Sequence, residues 1–314
     1  VVYILHEITS LSPSLIRSSK KECVRVVHRI SDFFMMCPKL DFLCGTEVCE
    51  SCMHGNYSKA IKNRCVKGSL PATLVRIVAM RLYSWMRIYD DVDAFVTTCQ
   101  FTKSKMIEYG IPPEKITCIP TFTEVDSVKP CYENEGYILF LGRFHQQKGA
   151  IYAVKAMGRL KDLHIKLKIT GDIDNSDECK NILNIIRETG IEDKVEFVGF
   201  QTGDNLKNLI DKSLCIVNPA IWYENMPNTV IEAYAHGKPV IASNIGSLSE
   251  LVQDGTTGLL FPKKDDEALA KCIRMLCENE DIAIKLGKQA RTVCEKLYSK
   301  DVHMERLLRL LQCL

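Results

Sequence analysis

Short apolar runs alternate with segments of helical spacing in the second half of the chain. The strand-like runs are 137–142, 165–172, 195–200, 215–219 and 239–243, and the helical segments are 150–160, 178–190, 205–213 and 228–236. "SLSE" at 247–250 has the pattern of a capping box that starts a further helix. After the turn and strand in "DGTTGLLF", amphipathic helices follow from about residue 265. Strands alternating with helices in this way predict a parallel sheet with right-handed crossovers.

The first 125 residues have a weaker pattern. The runs "VVYIL", "VRVVHRI", "AFVTTC" and "KITCIP" predict strands, and residues 71–89 predict one long basic amphipathic helix. Residues 119–130 contain two prolines and no periodicity, so we predict an interdomain linker there. The chain starts directly on a strand-like run. We therefore expect that an earlier part of this sheet is missing and that the chain is N-terminally truncated.

Charge and composition argue against two classes of protein. The 314 residues carry 41 basic and 39 acidic side chains, and a net charge of +2 argues against a nucleic-acid binder. No apolar run approaches the roughly 20 residues of a membrane span. Most of the fifteen cysteines stand singly within apolar segments, which suits a reducing compartment. We therefore expect a cytoplasmic protein.

The loop "GRFHQQKGA", residues 142–150, follows a strand and opens a helix. It lacks the Gly-Lys-Ser/Thr ending of a phosphate-binding P-loop. It does place Arg143 and Lys148 beside a helix N-terminus, whose free N–H groups attract anions. A solvated loop with ordinary surface charges is the alternative interpretation.

A second loop of the same sheet carries "ENMPNTVIEA", residues 224–233. We expect Pro227 at the first helical position, which leaves the amides of Asn228 and Thr229 free. Glu224 lies on this loop and Glu232 lies among apolar residues of the helix, where a carboxylate needs a hydrogen-bonding partner. A core Lys or Tyr is one candidate for that partner. Two cations, two helix starts and two acids otherwise describe a pocket for a phosphate flanked by polyols, which is the layout of a nucleotide sugar.

These residues resemble a known family. "YILFLGRFHQQKG", "VEFVGF" and "ENMPNTVIEAYAHGKPVIASNIGSLSELVQDGTTGLLF" are similar, over about residues 136–296, to the retaining glycosyltransferases of family 4. "LSPSLI", "HRISDFFMMCP" and "CESC…NRCVKGS" resemble the acceptor-side half of a bacterial subgroup with a Cys-rich domain. The resemblance implies an α/β protein of the GT-B fold, in which two Rossmann-like domains face a cleft and the first domain is incomplete.

The resemblance also implies how the chain is divided. Residues 1–125 would form the incomplete acceptor-side domain, with a Cys-rich insert at 37–65. Residues 126–296 would form the domain that binds the nucleotide-sugar donor. Residues 297–314 would form a helix that crosses back to the first domain.

Functional residues are carried over from the family by position. Arg143 and Lys148 would hold the donor diphosphate, and Glu224 would contact the hydroxyls of the transferred sugar. Glu232 would bind the nucleotide ribose. The remaining donor-site candidates are Gly142, Phe200 beside the nucleobase, Asn225, and the backbone of Asn228 and Thr229. On the acceptor side, Ser31-Asp32 stands where many members have His-Asp, so no histidine role is assigned.

The expected activity is transfer of a hexose, with retention, from a UDP- or GDP-linked donor to a glycan or lipid-linked acceptor, as in polysaccharide biosynthesis. We expect that no cofactor is required for catalysis. The Asp172-Ile173-Asp174 sequence follows the wrong strand to meet the diphosphate, and we interpret it as a surface turn. A non-catalytic nucleotide-sugar-binding fragment is the alternative. A zinc-dependent nucleic-acid module would leave the pattern over 136–296 unexplained.

Two features of the first domain have further interpretations. Cys37, Cys49, Cys52 and Cys65 have a spacing that could hold a structural zinc, with Cys44 and His54 as substitutes. Buried reduced thiols are the alternative. The helix 71–89 carries arginines with Tyr83 and Trp85, a pattern that suits peripheral contact with the inner face of a membrane. An ordinary packed helix with solvated arginines is the other interpretation.

Overall fold

Two units make up the protein, which the computed structural model describes at residues 1–5, 12–171, 173 and 176–314. The first unit comprises residues 1–120 and Met304–Leu314, and the second comprises Thr121–His303. Each unit is built on its own parallel sheet, of four strands in the first and six in the second.

The division between the units falls at Pro120, inside the predicted linker 119–130 but before the expected boundary at residue 125. Backbone contacts explain why the second unit begins earlier. The Thr123 amide donates a hydrogen bond of 2.9 Å to the Tyr298 carbonyl, and the Val125 carbonyl accepts one from the Arg291 guanidinium.

The sheet of the first unit is formed by the four runs that predict strands in this half. Their bounds are β1 Val2–Ile4, β2 Val26–Ile30, β5 Ala94–Thr97 and β6 Ile116–Cys118. The strands are parallel and lie in the order β1–β2–β5–β6. All four residues of β5 are buried, as expected for an inner strand that is covered on both faces.

Helices and one short hairpin complete the first unit. The helices are α1 Ser14–Lys21, α2 Ser58–Lys62, α3 Leu70–Trp85 and α4 Gln100–Tyr109. The hairpin pairs β3 Leu43–Cys44 with β4 Glu47–Val48, in the Cys-rich segment.

Helix α3 is shorter than the sequence predicts. It starts at Leu70, where the Ser69 hydroxyl accepts a hydrogen bond from the Ala72 amide, and it ends at Trp85 rather than continuing to residue 89. Arg87 takes a left-handed conformation with φ of 53°, which interrupts the helix before a 3₁₀ turn at Ile88–Asp91. Helical spacing continues through the break, so periodicity alone could not reveal it.

The C-terminal helix, α12, begins at Lys300 rather than near Leu297, because Leu297 is the last residue of the preceding helix. Its last part belongs to the first unit. There the side chains of Leu307 and Leu310 pack against a buried cluster that includes Val27 and Val96 of the sheet.

The second unit has the alternating pattern that the sequence predicts. Its strands are β7 Tyr137–Leu141, β8 Lys166–Thr170, β9 Val195–Phe197, β10 Ile216–Asn218, β11 Val240–Ser243 and β12 Gly258–Phe261. Its helices are α5 Ala150–Gly158, α6 Asp177–Thr189, α7 Gly203–Asp211, α8 Asn228–Ala235, α9 Leu248–Leu251, α10 Asp266–Glu278 and α11 Glu280–Leu297.

The strand order in the second unit is β12–β11–β10–β7–β8–β9, with all neighbours parallel. The chain therefore builds outward from β7 to β9, returns to the other side of β7, and builds outward again from β10 to β12. This is a doubly wound sheet. The strands are covered by apolar helix faces, with Ile138 and Phe140 of β7 and Val154 of α5 fully buried in one cluster.

Candidate donor site

The order of the strands places one crevice in the second unit. Strands β7 and β10 are neighbours, but the connections after them run to opposite sides of the sheet. In doubly wound sheets ligands bind at this switch point, outside the carboxyl ends of the two strands. The loops that form the crevice are residues 142–149 after β7 and 219–227 after β10.

The loop after β7 touches the loop after β10 through a glycine. Gly149 has φ of +71°, and a Cβ added there would lie 2.0 Å from the carbonyl oxygen of Pro219. Only glycine satisfies both conditions. The Gly142 amide, at the start of the same loop, donates a hydrogen bond of 3.2 Å to the Thr170 hydroxyl at the end of β8. The loop is thereby held against both neighbouring strands.

The two loops also meet through an ion pair. The Lys148 ammonium donates a hydrogen bond of 2.6 Å to Oε1 of Glu224, and Trp222 Nε1 donates to the same oxygen at 3.1 Å. Glu224 is only 6% exposed. Its carboxylate is therefore held between the two loops by two donors, one of which carries a charge.

Ser247 holds the Glu224 backbone from the far side. Its hydroxyl donates to the Glu224 carbonyl at 2.7 Å and is fully buried. The predicted capping box at 247–250 is therefore wrong, because Ser247 makes no side-chain cap on α9. Sequence reasoning missed Ser247 and Trp222 as residues of this site. The only local signal was the closeness of Trp222 to Glu224 in "IWYEN".

Helix α8 begins at Asn228, with Pro227 in the cap position rather than in the first turn. The expectation for Pro227 is therefore wrong by one position, although the consequence for the amides is the same. No side chain caps the start of α8 or of α5. Asn228 is exposed and Thr229 is half-buried, so the first turn of α8 leaves N–H groups free to bind an anion.

Glu232 is half-buried on α8, and burial raises the pKa of its carboxyl, while the nearby His236 acts to lower it. The Tyr and the Lys that are nearest to Glu232 in the sequence are engaged elsewhere. Tyr234 bonds to Thr257 at 2.7 Å, and Lys238 donates to the Glu133 carbonyl at 2.7 Å. Within the described part of the chain, no hydrogen bond or ion pair is recorded for the Glu232 carboxylate, so no core Lys or Tyr caps it.

Two further candidates lie at other strand ends. Phe200 follows β9 and is 72% exposed, two strands away from β7 on the same edge of the sheet. Arg143 is exposed at the mouth of the first loop. Asp172 and Asp174, which we interpret as a surface turn, lie outside the described residues.

Comparison with known proteins identifies the family. The profile of the glycosyl transferases group 1 family matches residues 122–293, more than half of the chain. The chain belongs to this family. The match covers the whole crevice between β7 and β10.

The chain matches part of the length of two curated relatives. MJ1607, an uncharacterized glycosyltransferase of Methanocaldococcus jannaschii, is 35% identical over 136 residues, which cover 43% of this chain and 34% of that protein. The amylovoran biosynthesis glycosyltransferase AmsK of Erwinia amylovora is 24% identical over 239 residues, or 72% of this chain and 58% of that protein. The matches thus span about a third to just over half of these relatives.

Solved structures identify the fold of this group 1 glycosyltransferase. Anabaena Alr3699/HepE in complex with UDP superposes with a TM-score of 0.75 at 16% identity, over 96% of this chain and 76% of that one. Sucrose-phosphate synthase (tll1590) of Thermosynechococcus elongatus superposes with a TM-score of 0.72 at 23% identity, over 96% and 71%. The predicted α/β fold with parallel sheets, of the GT-B type, is confirmed.

The acceptor-side candidates of the glycosyltransferase lie after β2 in the first unit. The Ser31 hydroxyl donates to the Leu5 carbonyl at 3.0 Å, and the Asp32 carboxylate accepts a hydrogen bond of 2.9 Å from the Phe34 amide. Both side chains thus have local structural contacts at the carboxyl end of a strand. Their predicted role in acceptor binding stays a prediction.

The four cysteines expected to bind zinc are neighbours in the first unit. Burial, followed by the charges of the other three thiols, raises the pKa of Cys52 to about 12. Burial and neighbouring thiols likewise raise the pKa of Cys65 to about 11. Burial acts to raise the pKa of Cys49, but Ser51 and Lys59 stabilise its thiolate, and the net result is a lowered pKa. The cluster is completed by Cys37, which is buried.

Over residues 1–5, 12–171, 173 and 176–314, no group of three or more His, Cys, Asp or Glu side chains is placed to hold a metal ion. All fifteen cysteines are free thiols. Zinc binding by Cys37, Cys49, Cys52 and Cys65 stays a prediction, and no step of catalysis is assigned to it.

Proposed function

We propose that this group 1 glycosyltransferase transfers a sugar from a nucleoside-diphosphate donor, which binds in the crevice between β7 and β10. The ion pair of Lys148 with the buried Glu224, between two uncapped helix starts, carries the proposal. A sugar diphosphate needs a cation for its phosphate oxygens and a carboxylate for its hydroxyls. The crevice offers both groups, because Lys148 and Glu224 contact each other there.

Arg143, Lys148 and the first amides of α8 would bind the diphosphate. An exposed Arg at the mouth of the loop can form two parallel hydrogen bonds to phosphate oxygens. Breaking the anomeric C–O bond places negative charge on the departing diphosphate, and stabilising that charge is the largest catalytic contribution available. These groups would supply the stabilisation without a metal ion.

The carboxylates would recognise the two sugars of the donor. Glu224 would accept hydrogen bonds from hydroxyls of the transferred sugar, while Lys148 turns towards the incoming phosphate. Glu232 would accept hydrogen bonds from the nucleotide ribose, since the described residues give it no other partner. The backbone at Gly142 and the Asn225 side chain would border the donor, and Phe200 would lie beside the base.

We further propose that the product retains the anomeric configuration and that the transferred sugar is a hexose. The acceptor hydroxyl would attack from the face that the diphosphate leaves, with no side chain assigned as a base. A uridine donor is the first choice, because structures of the neighbour Alr3699/HepE contain UDP and UDP-glucose. A glycan or lipid-linked acceptor is the first choice, because the relative AmsK is named for amylovoran biosynthesis.

Thermal unfolding with nucleotides tests the donor site. At about 100 times its dissociation constant, a ligand adds about 2.7 kcal/mol to the free energy of unfolding. We expect UDP to raise the midpoint of the wild-type protein by roughly 5–10 °C, given the size of the second unit. Glu232→Gln should lose most of this shift, whereas Lys161→Gln, an exposed control in the same unit, should keep it. An equal shift in both variants would contradict the ribose assignment.

Turnover separates an enzyme from a protein that only binds nucleotide sugars. A panel of UDP- and GDP-sugars is incubated with the chain and candidate acceptors, and release of the nucleoside diphosphate is measured. Release that depends on acceptor and disappears in Arg143→Ala supports transfer. Binding of UDP without release for any donor would instead support the non-catalytic alternative.

A further inference from the structure

The outward face of α3 is apolar, although the opposite face of the same helix is already buried. Thr73, Ile77 and Met80 point into the first unit. On the other side, Val75, Val78 and Trp85 are 71%, 64% and 81% exposed. Leu74 and Leu82 continue the same face, with 41% and 46% exposure.

These five side chains, which we call the α3 face, form one continuous stripe. At 100° per residue, positions 74, 75, 78, 82 and 85 fall within an arc of about 100° along the helix. A contiguous exposed apolar patch on a globular unit marks an interaction site. Their 16-residue helix is about 24 Å long at 1.5 Å per residue.

The segment around the α3 face is strongly basic. Residues 51–89 contain no Asp or Glu, although the whole chain has 39 of them. The same segment contains seven basic side chains, at Lys59, Lys62, Arg64, Lys67, Arg76, Arg81 and Arg87. This local charge of +7 stands in a chain whose net charge is only +2.

A groove of about 850 Å³ opens at the C-terminal end of α3. Arg81, Arg87, Tyr57 and Trp85 are among its lining residues. The Arg81 guanidinium lies 5.5 Å from the centre of the Tyr57 ring. Asp90 also lines the groove and pairs with Arg87. The groove thus places Arg81 and amphipathic aromatic rings at the edge of the apolar stripe, a combination found on protein surfaces at a membrane–water interface.

We infer that the α3 face docks the first unit on the surface of a lipid bilayer that contains anionic lipids. The apolar stripe would enter the region between headgroups and acyl chains, and the flanking cations would bind lipid phosphates. The inference goes beyond the proposed transfer reaction and does not depend on the donor crevice. Helix α3 would lie in the plane of the surface. Among the described residues no helix has the length and apolar character that crossing a bilayer demands.

Charge decides against two other occupants of the α3 face. A second copy of the chain would bring two segments of charge +7 together, and like charges in contact are unfavourable. A nucleic acid would match the charge, but its phosphate backbone would leave Val75, Val78 and Trp85 without an apolar partner. An anionic bilayer satisfies both the charge and the stripe.

Vesicle co-sedimentation tests the inference directly. The full chain is mixed with vesicles of phosphatidylcholine alone, or with about 30% phosphatidylglycerol. We expect binding to the anionic vesicles only, and weaker binding as salt rises. Lys59, Lys62 and Lys67 are exposed, and their joint replacement by Gln should lower the partition coefficient about a hundredfold, at roughly fivefold per charge.

Matched controls distinguish binding through the α3 face from nonspecific adsorption to vesicles. Val78→Ser/Trp85→Ser should lower partitioning about tenfold or more, because both side chains are exposed and their apolar area no longer enters the bilayer. Met275→Ser, an exposed apolar residue of the second unit, should bind as wild type. Replacing Lys161, Lys285 and Lys296 by Gln removes the same charge from the second unit and should change binding little. Arg143→Ala, in the donor site, should still bind vesicles.

Trp fluorescence provides a second readout. The chain has two tryptophans, so Trp222→Phe leaves Trp85 as the sole reporter. Its emission should shift to shorter wavelength on anionic vesicles and stay unchanged on neutral ones. Equal binding by the α3 variants and wild type, or no shift at Trp85, would overturn the inference. So would concentration-dependent dimerisation that is lost in Val78→Ser/Trp85→Ser while vesicles bind neither protein.

Discussion

Replacing Lys148 by Ala should both destabilise the protein and slow transfer, because the side chain has one partner in the free protein and another during the proposed reaction. In the structure its ammonium pairs with Glu224 at 2.6 Å. In the proposed reaction it stabilises the departing diphosphate. The corresponding change at Arg143, which is exposed, should affect only the second role.

The magnitude of the stability effect follows from burial. Removing one partner of a buried ion pair costs about 3–5 kcal/mol, because the remaining charge is left uncompensated. Here the Lys148 side chain is 30% exposed and Trp222 still donates to Glu224, so a smaller value applies. We expect Lys148→Ala to lower the free energy of unfolding by about 2 kcal/mol, or the midpoint by roughly 4–8 °C. Arg143→Ala should change it by less than about 0.5 kcal/mol.

A double-mutant cycle isolates the pair. Unfolding is measured in denaturant and by heat for Lys148→Ala, Glu224→Ala and the double variant. Because removal of Glu224 also removes the unpaired charge, the double variant should be more stable than the sum of the single effects predicts. A coupling energy near zero would refute the buried ion pair.

Turnover supplies the other half of the test. Lys148→Ala and Arg143→Ala should each slow release of the nucleoside diphosphate about a hundredfold, as for loss of one donor to an oxyanion, or on the order of 3 kcal/mol. Arg143→Lys should recover part of this loss, since an ammonium cannot form the two-pronged contact. Near-normal turnover in both Ala variants would refute the active-site assignment and leave the loop as a charged surface.

Three further predictions concern groups outside the ion pair. Burial raises the pKa of Glu232 in the folded protein, so the native state binds that proton more tightly and the free energy of unfolding falls as the pH rises through the folded pKa. Glu232→Gln should therefore unfold at a higher temperature than wild type near pH 7, and at the same temperature below the ordinary pKa of 4.5. An equal gain at all pH values would contradict this assignment. Since a ribose binds the charged form, the affinity for UDP measured by calorimetry should fall as the pH is lowered through that raised pKa in wild type but not in Glu232→Gln, and parallel profiles would count against the ribose contact. Elemental analysis of protein purified without chelator should find about one zinc per chain if Cys37, Cys49, Cys52 and Cys65 form a closed site. Chelator should leave turnover intact. A metal-free protein in which all four thiols react freely would exclude the site.

Local pattern was sufficient to predict the class of fold. Alternating strand and helix periods over 137–261 appear in the structure as β7 to β12, with ends that differ by a few residues. Parallel sheets place their loops at strand ends, so the charged residues in those loops are recognisable as candidates from the sequence alone. Periodicity and loop chemistry depend on neighbours within a few positions, which is why the sequence determines them by itself.

Tertiary structure alone decided which candidates meet. Lys148 and Glu224 are 76 residues apart and pair only because β10 returns to the side of β7, an order that no local pattern encodes. The capping-box pattern at Ser247 was overridden in the same way, by a carbonyl 23 residues away. The α3 face is a third case, since helical spacing predicts that one side of a helix is apolar but not that a second apolar side is exposed. Long-range pairing and exposure depend on how the elements pack, and that information arises only when the chain is folded.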